Sequence, residues 1–226
     1  MALTPYERET LLFVFQAFVR ACNKHNVLYF LYGGTLLGSV RHHDIIPWDD
    51  DIDVILNELD KPKLLQALNE SVGDFRAYLN HYGVVKFYWL KGKPIRDLPY
   101  LWPFIDIFFY TENTTHIYDA LIEFSEFSYR KTSVFPLCHR PFAGSLLPVP
   151  RFSLSTVLKT YSLSQCASLS YRHKFESSIS HVHKVPCDQL HQVYPFTRRT
   201  VKHGLSKELL VKDGQTLSEF NVPETC

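Results

Sequence analysis

Residues 33–54 read GGTLLGSVRHHDIIPWDDDIDV, from Gly33 to Val54. The apolar run Leu28–Leu31 just before this stretch has strand character, and Leu36–Val40 within it fits a short helix. Gly33-Gly34-Thr35 is then the turn between them. Such a turn leaves backbone N–H groups free at the helix start, and glycine lets an anion approach the backbone closely. The same pair also occurs as nothing more than a tight turn. The spacing from Gly33 to Gly38 imitates a P-loop, but Ser39-Val40 stands where that loop requires Lys followed by Ser or Thr.

The second half of the stretch concentrates acid at Asp49, Asp50, Asp51 and Asp53. Acid and aliphatic residues alternate from Asp51 to Leu56, which predicts a strand. Residues two apart share a strand face, with Cα atoms roughly 7 Å apart. Asp51 and Asp53 therefore project together, with Asp49 as a candidate neighbour, while Ile52 and Val54 point into a core. Carboxylates held side by side repel unless positive charge lies between them. A hard divalent cation suits the place, since Mg²⁺ takes one or two carboxylates together with substrate phosphates. A solvated acidic loop is the plainer alternative.

Asp106 offers a third carboxylate, a single acid within Phe104-Ile105-Asp106-Ile107-Phe108. Burying an unpaired carboxylate is costly, so it is either a further ligand or half of an ion pair, with Arg96 as a candidate partner. Three carboxylates on neighbouring strands opposite a glycine turn would make a two-metal nucleotide site.

Around this centre the chain has the composition of a folded protein. Its 226 residues are 46% hydrophobic and 21% charged, which excludes a disordered chain and suggests one domain, or one with an elaborated tail. The net charge is +1, and neither half has the basic excess that nucleic-acid or anionic-membrane binding usually shows, so these are poor candidates as partners. Thr4-Pro5-Tyr6-Glu7 opens a helix with a capping hydroxyl, a first-turn proline and a glutamate three residues on; Leu11, Phe15, Phe18 and Cys22 form its apolar stripe. Its apolar stretch, Leu11–Val19, contains Gln16 and is about half the length of a membrane span. Glu7 before it and Arg20 after it do not fit a signal peptide. As written, the chain reads as soluble. Further on, Leu59–Val72 predicts a helix, Val84–Leu90 and Phe104–Tyr110 predict strands, and Leu154, Val157, Leu158 and Tyr161 keep helical spacing. The mixture argues an α+β fold.

The cysteines, Cys22, Cys138, Cys166, Cys187 and Cys226, are widely spaced and form no CxxC. That argues against a zinc ribbon, a redox dithiol or a disulfide scaffold. The odd count fits a reducing compartment, with one disulfide in an oxidising compartment as the alternative.

The residues from Leu31 to Val54 closely resemble the motif of the LicD family, which includes fukutin and fukutin-related protein. The family pattern has three parts: a GGTLLG-like turn, an arginine, and PWDDDID. They stand here as Gly33-Gly34-Thr35, Arg41, and Pro47 to Asp53. Trp102–Tyr110 resembles the family's later acid-bearing strand. Pro141–Arg151, followed by a helix ending at Tyr161, resembles the Gly/Pro segment before its closing helix. The resemblance covers about residues 5–165. It implies a nucleotidyltransferase-like fold, a small mixed sheet flanked by helices, as a catalytic domain over 1–165. A poorly defined C-terminal extension over 166–226 would pack on the same domain.

It also implies an activity: Mg²⁺- or Mn²⁺-dependent transfer of a phospho-alcohol, such as phosphocholine or ribitol phosphate, from a CDP-linked donor to a hydroxyl of a glycan or glycoprotein. By the resemblance, Asp51, Asp53 and Asp106 hold metal and carry catalysis, with Asp106 a candidate base. Gly33, Gly34 and Thr35 hold donor phosphates. Arg41 either contacts a phosphate or forms an ion pair with the acid cluster. His42-His43-Asp44 replaces a small segment usual in the family, which would reshape the pocket edge and bear on donor identity. Ser162 replaces the family's glycine after the closing tyrosine. The fukutin branch has a membrane anchor and stem, so this chain is a soluble form or a shortened one; Golgi lumen follows from the first relationship, cytoplasm from a complete soluble chain.

Other features carry less. His181, His183, Cys187 and His191 could supply zinc ligands but match no standard spacing. Asn113-Thr114-Thr115 and Asn69-Glu70-Ser71 match the N-glycosylation sequon, which matters only on the secretory route. Lys86 lies near the proposed site, but its type is usually a solvent-facing strand lysine. Two rivals to the transferase remain: a glycosyltransferase using Asp51-Ile52-Asp53 as a DxD motif for a nucleotide sugar, and a catalytically silent module that binds a glycan or a partner.

Overall fold

A computed structural model describes residues 3–70, 73–121 and 128–226. Helix α1 (Pro5–His25) begins as its sequence requires: the Thr4 hydroxyl accepts the Glu7 N–H, and the Glu7 carboxylate accepts the Thr4 N–H. The stripe Leu11, Val14, Phe15, Phe18, Ala21 and Cys22 is buried. After it come β1 (Phe30–Leu31), α2 (Gly33–His42), β2 (Ile52–Asn57), α3 (Lys61–Glu70), β3 (Phe75–Leu79), β4 (Val85–Pro94) and β5 (Leu101–Glu112). Helix α2 starts at Gly33 itself, so the glycine pair is the first turn of the helix rather than a loop before it. The predicted helix Leu59–Val72 is α3, preceded by a short 3₁₀ turn at Glu58–Asp60; its last two predicted residues lie outside the described residues, as does Ser71 of the second sequon.

These strands form one mixed sheet in the order β1-β2-β5-β4-β3, with β2 and β5 parallel and the other neighbours antiparallel. Strand alternation divides it into two faces. Ile52, Val54, Ile105, Ile107, Val85 and Phe87 point to one side and join the main core with the α1 stripe and Leu64 and Leu68 of α3. Asp53, Asp106 and Lys86 alternate with them and point to the other side, where Asp53 is the register partner of Asp106 and Asp106 that of Lys86. Two smaller apolar clusters flank this polar row, one around Phe30, Ile55 and Tyr110, the other around Tyr88, Trp102 and Phe104.

Strands β6 (His116–Asp119) and β7 (Ser128–Arg130) extend the sheet past β5. They lead through α4 (Lys131–Val134) to the hairpin β8 (Cys138–Phe142) and β9 (Ser145–Val149). Helix α5 spans only Ser153–Val157, so the helix predicted to reach Tyr161 ends early; turn hydrogen bonds carry the chain from Val157 to Tyr161.

The C-terminal extension is built from strands: β10 (Gln165–Ala167) pairs with β13 (Lys184–Pro186), β11 (Tyr171–Arg172) with β12 (Ser177–Ser178), and β14 (Phe196–Lys202), β15 (Leu205–Lys212) and β16 (Gln215–Pro223) form a sheet of their own. It is tied to the rest by buried charge. Glu208, fully buried on β15, accepts from His43 Nε2 at 2.8 Å, Arg140 at 2.6 Å and Arg199 at 2.6 Å. The three partners hold the Glu208 carboxyl down at about 2, against the penalty of burial.

The expectation against disulfides is overturned. Cys138 pairs with Cys226 and Cys166 with Cys187, leaving Cys22 free and buried. The first pair is 88 residues apart, a separation that only the return of the extension onto β8 closes. With Cys187 committed to a sulfur bridge, the zinc set His181, His183, Cys187 and His191 loses its thiolate. Among the described residues no helix is long and apolar enough to cross a membrane.

Candidate active site

Ligand oxygens of Asp51, Asp53 and Asp106 lie within 4.8 Å of one another. Asp51 stands just before β2, Asp53 on it, and Asp106 beside Asp53 on the parallel neighbour. The start of α2 abuts the cluster. Gly33 has φ +51°, and a Cβ there would lie 2.8 Å from Asp53 Oδ2; a Cβ on Gly34 would lie 2.9 Å from Asp49 Oδ2. Both glycines are therefore needed for carboxylates to sit against the helix start, where the helix dipole favours negative charge. The Thr35 hydroxyl accepts the Asp53 N–H at 2.7 Å and so fixes the strand to the helix.

Packing acids together out of water has its electrostatic consequence. Burial first, and then the neighbouring Asp53, push the Asp51 carboxyl up to about 7. Burial and Asp106 do the same to Asp53, and burial with Asp51 raises Asp49 well above the usual range. The chain answers with two cations of its own. Lys86 Nζ lies 2.9 Å from Asp106 Oδ1 and 3.4 Å from Glu176 Oε1. Lys86, not Arg96, is the partner of Asp106, and it is buried rather than solvent-facing, because register places it next to Asp106 on the same sheet face. His173, on the turn between β11 and β12, reaches Asp50 with Nδ1 at 3.2 Å and Asp51 with Nε2 at 3.3 Å. Burial works against its charge, but the surrounding carboxylates, Asp51 foremost, raise the imidazole well above its ordinary value. The backbone N–H groups of His173 and Lys174 also donate to Asp50.

Among the described residues Arg41 forms no salt bridge with the carboxylates, although the charge of Asp49 acts on it. Its Nε donates to His42 Nε2 and its Nη1 to the Ser162 carbonyl, and it lies over Trp48. His42 bonds the Pro195 carbonyl at 2.6 Å and His43 bonds Glu208. The segment expected to reshape the pocket edge is thus the anchor of the C-terminal extension.

Two cavities flank the trio. The smaller, about 340 Å³, is bounded by Gly33, Asp53, Tyr32, Phe108, Tyr129 and Tyr161. The larger, about 1160 Å³, opens on the other side against Asp106, Lys86, Glu176, Tyr78, Tyr100 and Tyr171. Sequence had one pointer to Lys86, its place in the predicted strand Val84–Leu90 near the proposed site. Tyr161 was marked as the end of the closing helix but not as a cavity wall, and for His173 and Glu176 the sequence had no pointer, since they come from the extension.

The profile of the LicD/FKTN/FKRP nucleotidyltransferase domain matches residues 26–152, which contain the glycine turn and every acid of the trio. The lipopolysaccharide cholinephosphotransferase LicD of Haemophilus influenzae is 53% identical over 36 residues, 16% of this chain and 14% of that protein. The human ribitol 5-phosphate transferase FKRP is 32% identical over 130 residues, 55% of this chain and 25% of that protein. The chain thus spans a quarter or less of these relatives. Among solved structures, lincomycin-bound lincosamide adenylyltransferase LnuA is similar with TM-score 0.39 and 14% identity, over 72% of this chain and 89% of that one. By the profile match, which takes in more than half of its length, the chain belongs to the LicD/FKTN/FKRP nucleotidyltransferase-domain family.

Proposed function

We propose that this chain transfers a phospho-alcohol from a CDP-linked donor to a hydroxyl of a glycan. The observation that carries the reading is the trio Asp51, Asp53 and Asp106, whose ligand oxygens lie within 4.8 Å against the first turn of α2. An all-oxygen carboxylate set, in which burial and neighbouring charge raise Asp51 and Asp53, fits a hard divalent cation, Mg²⁺ or Mn²⁺, which these three residues would hold. Such a cation, when bound, neutralises phosphate charge and polarises the phosphorus under attack.

The remaining roles fall to the chain itself. The first turn of α2 presents N–H groups to the donor diphosphate. The smaller cavity receives the cytidine end between Tyr32, Phe108 and Tyr161, and the larger one the acceptor glycan, whose sugar faces suit Tyr78, Tyr100 and Tyr171. Asp106 borders the acceptor side and takes the hydroxyl proton. The acceptor oxygen bonds to the phosphorus bearing the alcohol, the bridging P–O bond breaks, and CMP leaves.

The test is CMP release from a panel of CDP-alcohols with Mg²⁺ or Mn²⁺, wild type against Asp53→Ala. Release that EDTA and Asp53→Ala both abolish supports the reading and names the donor. One observation favours a silent binding module instead: Lys86 and His173 already neutralise the carboxylates. Glycan binding without CMP release or metal affinity would make that the better account, and turnover of nucleotide sugars alone would favour the glycosyltransferase.

A further inference from the structure

We propose that Asn113 is an N-glycosylation site and that the chain matures in an oxidising, secretory compartment. Two independent observations meet here. The first is the pair of disulfides, Cys138–Cys226 and Cys166–Cys187, which engage four of the five cysteines; such bonds form and persist outside the reducing cytosol. The sequon Asn113-Thr114-Thr115 becomes meaningful in the same compartment.

The second is the geometry of that sequon. Asn113, Thr114 and Thr115 are all exposed, in the turn between β5 and β6. Asn113 Oδ1 accepts the Thr115 N–H at 2.9 Å and the His116 N–H at 2.8 Å, and Thr115 Oγ1 lies 3.3 Å from the same oxygen. The turn is local: every one of these contacts falls within four residues, so it needs little of the rest of the fold to form. It brings the amide and the hydroxyl of the sequon together. Asn69 of the other sequon lies instead in the last turn of α3.

The modification is a group transfer from a lipid-diphosphate-linked oligosaccharide. A bond forms between Asn113 Nδ2 and the first sugar carbon, the bond from that carbon to phosphate oxygen breaks, one amide proton is lost, and the lipid diphosphate leaves. The product amide keeps one N–H for the Tyr118 hydroxyl, which accepts from Nδ2 at 2.9 Å. Along β5, seven residues separate Asn113 from Asp106, roughly 23 Å at strand rise, so the glycan stands clear of the carboxylates.

The full chain, produced through the secretory pathway of a eukaryotic host, should show one step in mobility that peptide N-glycosidase removes, with the Asn113 peptide gaining the mass of deamidation. Asn113→Gln and Thr115→Ala should each lose the step, Thr115→Ser should keep it, and Asn69→Gln should leave it unchanged. Thr115→Ala spares the Asn113 side chain, so loss in both variants separates loss of the acceptor from disturbance of the turn. Secreted, disulfide-bonded chain without the step would overturn the proposal. So would a step that survives Asn113→Gln and disappears in Asn69→Gln.

Discussion

Replacing Asp53 by Asn should make the metal-free protein more stable, although the residue stands at the centre of the site. In the fold its carboxyl is raised from 3.8 to about 7, by burial and then by Asp106. Between those values the folded state binds a proton that the unfolded state does not, so stability falls as pH rises through the window. The shift is about 3 pH units, or roughly 4 kcal/mol for an isolated group at 1.36 kcal/mol per unit. Sharing of charge with Asp51 and Asp106, and relief from Lys86 and His173, reduce what one substitution recovers to about 1–2 kcal/mol. In a chain this long that is a rise of roughly 2–8 °C in Tm. Calorimetry in EDTA at pH 5 and pH 8 reads it directly: Asp53→Asn should exceed wild type at pH 8 and approach it at pH 5. Adding Mg²⁺ or Mn²⁺ should raise the wild-type Tm at pH 8 and leave Asp53→Asn unmoved. A variant less stable than wild type in EDTA at pH 8 would refute the reasoning, since it would mean the carboxylate is a net stabilising partner.

Three other outcomes follow from the same geometry. Glu208→Gln should destabilise by about 3 kcal/mol at neutral pH; the wild-type contribution is present above the unfolded value of 4.5 and lost as pH falls towards about 2, so the variant should have a flatter stability curve over that range in acid unfolding. His173→Ala removes the cation bridging Asp50 and Asp51, so calorimetric titration should show tighter metal binding; weaker binding would make His173 a ligand instead. Opening Cys138–Cys226 by Cys226→Ser should cost about 4.6 kcal/mol and opening Cys166–Cys187 about 3, from loop separations of 88 and 21 residues, as denaturant melts would show.

The sequence alone determined the centre of this protein, because the rules it follows there are local. The α1 cap needs only Thr4 and Glu7 three residues apart, and strand alternation puts Asp53 and Asp106 opposite the aliphatics around them. A motif of 24 residues, Leu31 to Val54, carried the family resemblance. What the tertiary structure decided depends on contacts between distant segments. Lys86 becomes the partner of Asp106 only through the register of β4 on β5. Arg41 and His42 turn to the extension because Ser162, Cys187 and Pro195 come to lie beside them. Cys138 finds Cys226 across 88 residues, and His173 arrives at Asp51 from a hairpin whose own sequence carries no periodicity. Local patterning fixes which face a side chain takes, whereas its partner across the fold is set by packing of the whole chain.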